Sequence, residues 1–152
     1  MRMITLAVVA IFGASALPAW ADPNLDITNV KAFATAPSAM AGGGFMSIAN
    51  TGETDDRLVA VEANFPRVEI HAHEFDSEGV ARMIHLEDGI VIPAGEIVTL
   101  EPGGLHVMFM GLRDTPLLEG ETVEATLIFE KTGSVPVTFD IVKRDTAHSH
   151  NH

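Results

Sequence analysis

Short apolar runs separated by turn-forming residues recur along this chain, and beyond its N-terminal segment no stretch of useful length has the period of an amphipathic helix. Asn50-Thr51-Gly52 and Pro102-Gly103-Gly104 are two of the turn signals. This spacing is typical of antiparallel sandwiches or barrels with Greek-key connections. The sequence therefore predicts an all-β fold in a single domain. The predicted strands are residues 25–34, 44–49, 57–63, 67–75, 80–86, 97–101, 105–110, 122–131 and 135–142.

The N-terminus has the features of a secretory signal peptide. Arg2 gives a short basic start, residues 4–17 are largely apolar, and Ala19-Trp20-Ala21 is a small-x-small cleavage site. An uncleaved membrane anchor is the alternative, but the apolar run is short for a membrane span. We expect residues 1–21 to be removed after Ala21, leaving an exported domain of residues 22–145.

Charge and cysteine content restrict the partners of the exported protein. Cleavage removes Arg2 from nine basic residues, so eight remain against 21 acidic residues and the formal charge becomes −13. Nucleic acid and anionic membrane surfaces are poor partners for such a chain, which we expect to be soluble rather than membrane-embedded. The absence of cysteine excludes disulfides and thiolate metal sites. Any metal ligands must be histidine, methionine or carboxylate side chains.

Residues 105–110 alternate an imidazole and two thioethers with three apolar side chains. Successive side chains of a strand point to opposite faces, so His106, Met108 and Met110 should share one face and the apolar residues the other. A thioether is a soft donor that suits Cu(I) better than Zn(II), Mg(II) or Ca(II). The face of this strand opposite the core is therefore a candidate copper site.

Two further pairs have the same two-residue spacing, His71 with His73 and Met83 with His85. If three such strands meet, they can present two imidazoles and two thioethers to one ion. Taken singly, a strand methionine is usually core filling and a histidine usually a surface or hydrogen-bonded residue. The co-occurrence of the pairs is what favours a metal site. Three nearby acids are candidates for contacts to the imidazoles, but the expectation is that they are solvated surface groups: Glu69, Glu74 and Asp76.

Several of these stretches resemble the PCuAC family of periplasmic copper chaperones. The resemblance runs from about residue 26 to 142 and is most specific in the Pro-Gly-Gly-x-His-x-Met block. It implies a cupredoxin-like β-sandwich that binds Cu(I) through two histidines and two methionines, spaced as His, ten residues, Met, twenty-one residues, His-x-Met. Carried over by position, the ligands are His71, Met83, His106 and Met108. The stretches that carry the resemblance are residues 68–71, 79–83, 92–95, 100–112 and 120–122.

This chain departs from the family spacing by one residue in each gap, with eleven residues between His71 and Met83 and twenty-two between Met83 and His106. An insertion in a turn leaves the facing of the ligands unchanged, whereas one inside a strand reverses it. His73 is therefore an alternative or additional first ligand. The other secondary candidates are His85 and Met110.

The C-terminal residues 146–152 form a separate histidine-rich tail with too few apolar residues to fold alone. His148, His150 and His152 alternate with polar residues, which suits Cu(II) because that ion favours nitrogen ligands. The alternative is a solvated tail or part of an expression tag. A second irregular segment, residues 36–44, contains Pro37 and three glycines and is predicted to be a mobile loop.

The leading hypothesis is a copper chaperone that passes Cu(I) on by ligand exchange. The family resemblance implies a periplasmic location and delivery to cytochrome oxidase copper centres, with oxidase subunit II or a Sco-type protein as partner. The alternative is a periplasmic zinc, nickel or copper buffering or resistance protein that acts through its tail. An electron-transfer cupredoxin is disfavoured because blue-copper sites need a cysteine. An enzyme is disfavoured because the sequence has neither a nucleophile elbow nor a His-Glu-x-x-His motif. A purely structural sandwich would leave the paired histidines and methionines unexplained.

Overall fold

The computed structural model describes residues 24–145, which form ten β-strands and no helix. The all-β prediction is confirmed. Within this part of the chain, no helix is long and apolar enough to cross a membrane. The predicted signal peptide, residues 1–21, and the histidine-rich tail, residues 146–152, lie outside the described residues. The strands are β1 (Leu25–Phe33), β2 (Ala41–Asn50), β3 (Asp56–Ala63), β4 (Arg67–Phe75), β5 (Ala81–His85), β6 (Ile90–Ile92), β7 (Ile97–Leu100), β8 (His106–Met110), β9 (Thr122–Phe129) and β10 (Gly133–Val142).

All ten strands belong to one hydrogen-bonded sheet with the order β5-β4-β8-β2-β1-β10-β9-β3-β6, and β7 pairs with β2. Only β1 and β10 run parallel. One edge of β2 is shared, because residues 41–44 pair with β8 and residues 46–49 pair with β7. The β7–β8 loop therefore leaves the sheet beside the middle of β2. This loop carries the two glycines that precede His106.

The sheet curls around one contiguous apolar core. Phe109 and Phe139 meet edge to face at its centre, with ring centroids 5.3 Å apart. Met46, Ile48 and Leu58 are fully buried beside them. Alternation places these side chains on the inner face of the strands. The side chains on the opposite face of β2, β4, β5 and β8 lie outside this core.

The glycine-rich segment corrects one prediction, because residues 41–44 belong to β2 rather than to a mobile loop. A Cβ atom on Gly44 would lie 2.8 Å from the Phe139 ring and 2.9 Å from the Phe109 ring. Any larger residue would clash with the core at this point. The glycines thus mark close packing against a strand, a second common use of glycine in sheets.

A short strand was missed by the sequence reading. β6 contains only Ile90–Ile92, and it pairs with the start of β3. Ile90 and Ile92 are buried while Val91 is exposed. Three residues are too few for an alternating pattern to stand out from the neighbouring turns.

Candidate metal site

Strand register brings the candidate residues of β4, β5 and β8 onto one face. His71 lies opposite both His85 on β5 and His106 on β8, and His73 lies opposite Met83. Directly opposed residues in antiparallel strands point to the same side of the sheet. The structure therefore assembles the two pairs and the set of three that the sequence analysis singled out.

The imidazole rings lie close together on this face. The ring centroids of His73 and His106 are 5.1 Å apart, and those of His71 and His106 are 5.8 Å apart. His85 is farther out, 5.6 Å from His71. His106 is thus flanked by two imidazoles from the neighbouring strand.

A cavity of about 370 Å³ opens on the same face. Four of the candidates line it, His73, Met83, His106 and Met108. His71, the first ligand carried over from the family spacing, is not among the described lining residues, and neither are His85 and Met110. The other walls are the end of β1, the residues between β1 and β2, the first half of β2, the β7–β8 loop and Arg144.

His106 is held by the loop that precedes it. Its Nδ1 donates a hydrogen bond to the carbonyl oxygen of Gly104 at 3.1 Å, and the same oxygen accepts the backbone N–H of His73 at 3.3 Å. A carbonyl only accepts, so the proton of the neutral ring is on Nδ1 and Nε2 carries a lone pair. Burial lowers the pKa of His106. The hydrogen bond to Gly104 opposes this shift, and the nearby His73 and His71 add to it. The lowered pKa favours the neutral ring, the form that binds a metal.

His71 is held by a carboxylate. Its Nε2 lies 2.7 Å from Oε2 of Glu69, which is also paired with Arg67 at 3.0 Å. The hydrogen bond with His71 holds the pKa of Glu69 below its usual range. Because an ionised carboxylate can only accept a hydrogen bond, Nε2 of His71 carries the proton. In the neutral ring the lone pair is then on Nδ1. The expectation that Glu69 is a solvated acid is wrong, because its side chain is only 15 % exposed.

The other two acids behave as surface groups. Asp76 accepts the backbone N–H groups of Glu78 and Val80 in its own turn and pairs with Arg82 at 3.3 Å. Glu74 is exposed. Neither carboxylate contacts an imidazole in the described residues.

The three methionines of the face differ in their surroundings. Met108 is half-buried in the cavity wall, and Met83 is 52 % exposed on β5. The sulfur of Met110 accepts a hydrogen bond from Nε of Arg67 at 3.3 Å. Met110 is therefore engaged by another side chain, although it shares a strand face with Met108.

An aromatic wall beside the cavity was not foreseen from the sequence. Phe45 packs against Phe33, with ring centroids 5.0 Å apart, and lies 6.5 Å from His106. The guanidinium of Arg144 lies over Phe33 at 5.2 Å. Gly43 leaves room for the Phe45 ring, since a Cβ atom there would be 3.0 Å from it. A glycine within a strand was the available signal.

Three buried side-chain nitrogen or oxygen atoms lack a hydrogen-bond partner within residues 24–145, and all three are imidazole nitrogens. They are Nδ1 of His71, Nδ1 of His73 and Nε2 of His106. In the same residues, no group of three or more His, Asp or Glu side chains is placed to hold a metal ion. Buried polar atoms are rarely left unpaired, so each of these needs an explanation.

The fold is that of a cupredoxin-like domain of the PCuAC type, as comparison with solved structures shows. The copper-bound PCuAC domain from PmoF2 is 26 % identical, with a TM-score of 0.64, over 82 % of this chain and 97 % of that domain. The solution structure of CuI-DR1885 from Deinococcus radiodurans is 28 % identical, with a TM-score of 0.60, over 87 % of this chain and 83 % of that protein. The resemblance to the PCuAC family is therefore confirmed.

The family model described as "Putative lipoprotein LpqE-like" matches residues 25–141. The chain belongs to this LpqE-like family. It is also 30 % identical over 112 residues to "Putative lipoprotein Lxx21020" of Leifsonia xyli subsp. xyli (strain CTCB07). That match covers 73 % of this chain and 66 % of the relative, slightly less than two thirds of its length.

Proposed function

We propose that this protein is a copper chaperone that carries Cu(I) as its cargo in the cavity on the outer face of β4, β5 and β8. The observation that supports this most strongly is the set of three buried, unpaired imidazole nitrogens. Leaving them unpaired costs stability in the metal-free protein. A soft metal ion bound in the cavity would use the unpaired nitrogens of His73 and His106, which line it, and the neighbouring thioethers supply the donors that favour Cu(I).

The ligand set that the geometry favours is His73, Met83, His106 and Met108. These four side chains line one cavity. The ring centroids of His73 and His106 are 5.1 Å apart, and those of His71 and His106 are 5.8 Å apart. Both separations suit two imidazoles on one ion, so it is the lining of the cavity that favours His73 over His71. In sequence, 32 residues lie between these two histidines, the number that the family pattern also requires. Choosing His73 leaves only Met83 displaced by one position.

His71 has a supporting place in this proposal. Its Nε2 is committed to Glu69, and its ring stands beside His106 rather than in the cavity. With a lone pair on Nδ1, it is a neighbouring donor that an ion can engage when another ligand leaves. We therefore assign it as a secondary ligand.

Ligand exchange is the mechanism that this arrangement supports. A thioether carries no proton, so Met83 and Met108 keep their donor capacity as pH falls. The lowered pKa of His106 extends the range over which its imidazole is unprotonated. Met83 is the most exposed of the four ligands and is the first that an acceptor can replace. The protein then acts as a non-catalytic carrier.

The recipients and location follow from the family resemblance. We propose export to the periplasm and delivery of Cu(I) to the copper centres of a respiratory cytochrome oxidase, through oxidase subunit II or a Sco-type protein. The histidines of residues 146–152 are proposed to bind Cu(II). The acidic character of the chain is suited to a basic docking partner.

The test is an anaerobic Cu(I) titration against a chromophoric chelator. Met108→Leu should weaken Cu(I) binding by about a hundredfold, because it removes a ligand. Met110→Leu is the matched control, since Met110 lies on the same strand face but contacts Arg67. His73→Ala should weaken binding more than His71→Ala does.

A chain ending at Asp145 separates the cavity from the tail. One Cu(I) should be retained without the tail. If truncation removes all binding while Met108→Leu binds normally, the function lies in the tail and the proposed site is wrong.

A further inference from the structure

Strand β5 is an open edge of the sheet next to the proposed copper site. It pairs with β4 on one side, and no strand among residues 24–145 covers its other side. The same strand carries Met83, which lines the cavity. An unpaired edge next to a ligand can accept a strand from another protein.

The register shows which backbone groups of β5 are free. The N–H of Asp76 donates to the carbonyl of Val80, and that of Leu86 donates to the carbonyl of Ile70. In an antiparallel pair, hydrogen-bonded and non-hydrogen-bonded positions alternate. Arg82 and Ile84 therefore bond with β4. The backbone N–H and C=O groups of Ala81, Met83 and His85 point toward the open edge.

The side chains around this edge indicate the kind of strand that fits. Phe75 is 67 % exposed, and Val80 and Met83 are about half exposed. Between residues 74 and 88 there are five carboxylates and one arginine, Arg82, which is already paired with Asp76. The edge is therefore apolar in part and acidic around it. A second copy of this chain would bring like charges together.

We propose that β5 is the docking edge for the copper acceptor, which adds a basic strand to it. The strand has apolar side chains flanked by lysine or arginine and carries a soft copper ligand, a thioether or thiolate. This inference rests on the proposed chaperone function.

The pairing of β5 with the added strand determines where a ligand of the acceptor lies relative to Met83. A residue directly opposite Met83 on the added strand points to the same face, about 5 Å away between Cβ atoms. A soft ligand at that position can bind Cu(I) as the Met83 thioether leaves. No electron is transferred, because one sulfur donor replaces another and the ion stays Cu(I).

The probe is a short peptide of alternating valine and threonine with one central methionine and lysines at both ends. Two control peptides accompany it, one N-methylated at alternate residues to block strand pairing and one with glutamates in place of the lysines. Amide exchange of the metal-free protein should show new protection at Met83 and His85 with the lysine peptide. Neither control peptide should give this protection.

A variant on the protein side tests the same edge. Ala81→Pro removes one outward N–H and should weaken peptide binding about fivefold. Ala81→Ser keeps that N–H and should bind the peptide as the unaltered protein does. Neither change touches a proposed ligand, so Cu(I) affinity should be the same in both. The N-methylated peptide gives an answer on the unaltered protein even if Ala81→Pro folds poorly.

Different results would overturn different proposals. If Cu(I) binds normally but the lysine peptide gives no amide protection at β5, the docking edge alone would be overturned. The same holds if the N-methylated peptide protects β5 as strongly as the lysine peptide does. Self-association of the protein through β5 would also overturn it. If the lysine peptide protects Met83 and His85 but the protein binds no Cu(I), the docking edge would be supported and the copper function overturned.

Discussion

Two groups of buried polar side chains in this sheet differ in how fully they are hydrogen-bonded. Asn50 and Asp56, at the connection between β2 and β3, use their side-chain atoms completely. On the outer face of β4 and β8, His71, His73 and His106 each leave one buried nitrogen unpaired. The first group stabilises the fold. The second keeps acceptors available, and that cost is understandable when a ligand uses them.

Asp56 illustrates how the first group of side chains stabilises the fold. Its carboxylate accepts the backbone N–H groups of Arg57, Lys131 and Thr132 and the hydroxyl of Thr132. It thereby fixes the start of β3 to the β9–β10 turn. Although burial opposes ionisation, these hydrogen bonds hold the pKa of Asp56 below its usual value.

The largest effect that should distinguish the two groups of buried polar side chains is the stabilisation of the folded protein by copper. At a free Cu(I) concentration a thousand times the Kd, the folded protein should gain about 4 kcal/mol. Anaerobic thermal unfolding with and without Cu(I) measures the gain. It should be largely lost in His106→Leu and retained in Asp56→Asn. An equal gain in both variants would mean that the unpaired imidazoles do not hold the ion.

The next largest effect should come from removing the carboxylate of Asp56, whose two oxygens are both hydrogen-bonded. Asp56→Ala should destabilise the metal-free protein by about 3 kcal/mol, because partly buried donors on three residues lose their acceptor. Urea unfolding measures this change. Asp55→Ala is the matched control, since Asp55 makes one exposed hydrogen bond to the N–H of Ala94 and should cost less than about 1 kcal/mol. Similar losses in the two variants would contradict the structural role of Asp56.

The pH dependence of stability separates the two groups further. The folded-state pKa of Asp56 lies below the ordinary value of 3.8, so its contribution is complete above 3.8 and is lost as pH falls through the folded pKa. Burial lowers the folded-state pKa of His106 from 6.5, so neutral His106 contributes fully above 6.5 and loses this contribution as pH falls below it.

Urea unfolding as a function of pH tests these two windows. His106→Leu should remove part of the decline that begins near pH 6.5, and Asp56→Asn should remove part of the decline below pH 3.8. If each substitution altered the window assigned to the other residue, the assignment would be wrong.

The smallest expected effect is that of His106→Leu on the metal-free protein. It removes an unpaired buried nitrogen together with one hydrogen bond, so stability should change by less than about 1 kcal/mol. The carbonyl of Gly104 keeps a donor, the N–H of His73. Chemical unfolding without copper measures this. A loss as large as that of Asp56→Ala would show that His106 is mainly structural.

Local pattern was enough to predict most strands. The alternation of residues 105–110 predicts that Val107 and Phe109 face the core, and both are fully buried. On the other face Met108 and Met110 are only partly buried, whereas His106 is buried where it lies against His71 and His73. This works because strand side chains alternate whatever lies beside the strand. The prediction of a loop at residues 36–44 was wrong in part because glycine is used both in turns and where a strand packs closely.

The sequence by itself determined an all-β fold and the pairs of residues that share a face within each strand, since both follow from the two-residue period of the backbone. Only the tertiary structure decided that β5, β4 and β8 are neighbours. It also decided that His73 lines the cavity while His71 pairs with Glu69. Register between strands depends on contacts distant along the chain, and a shift of one residue exchanges the side chains that meet.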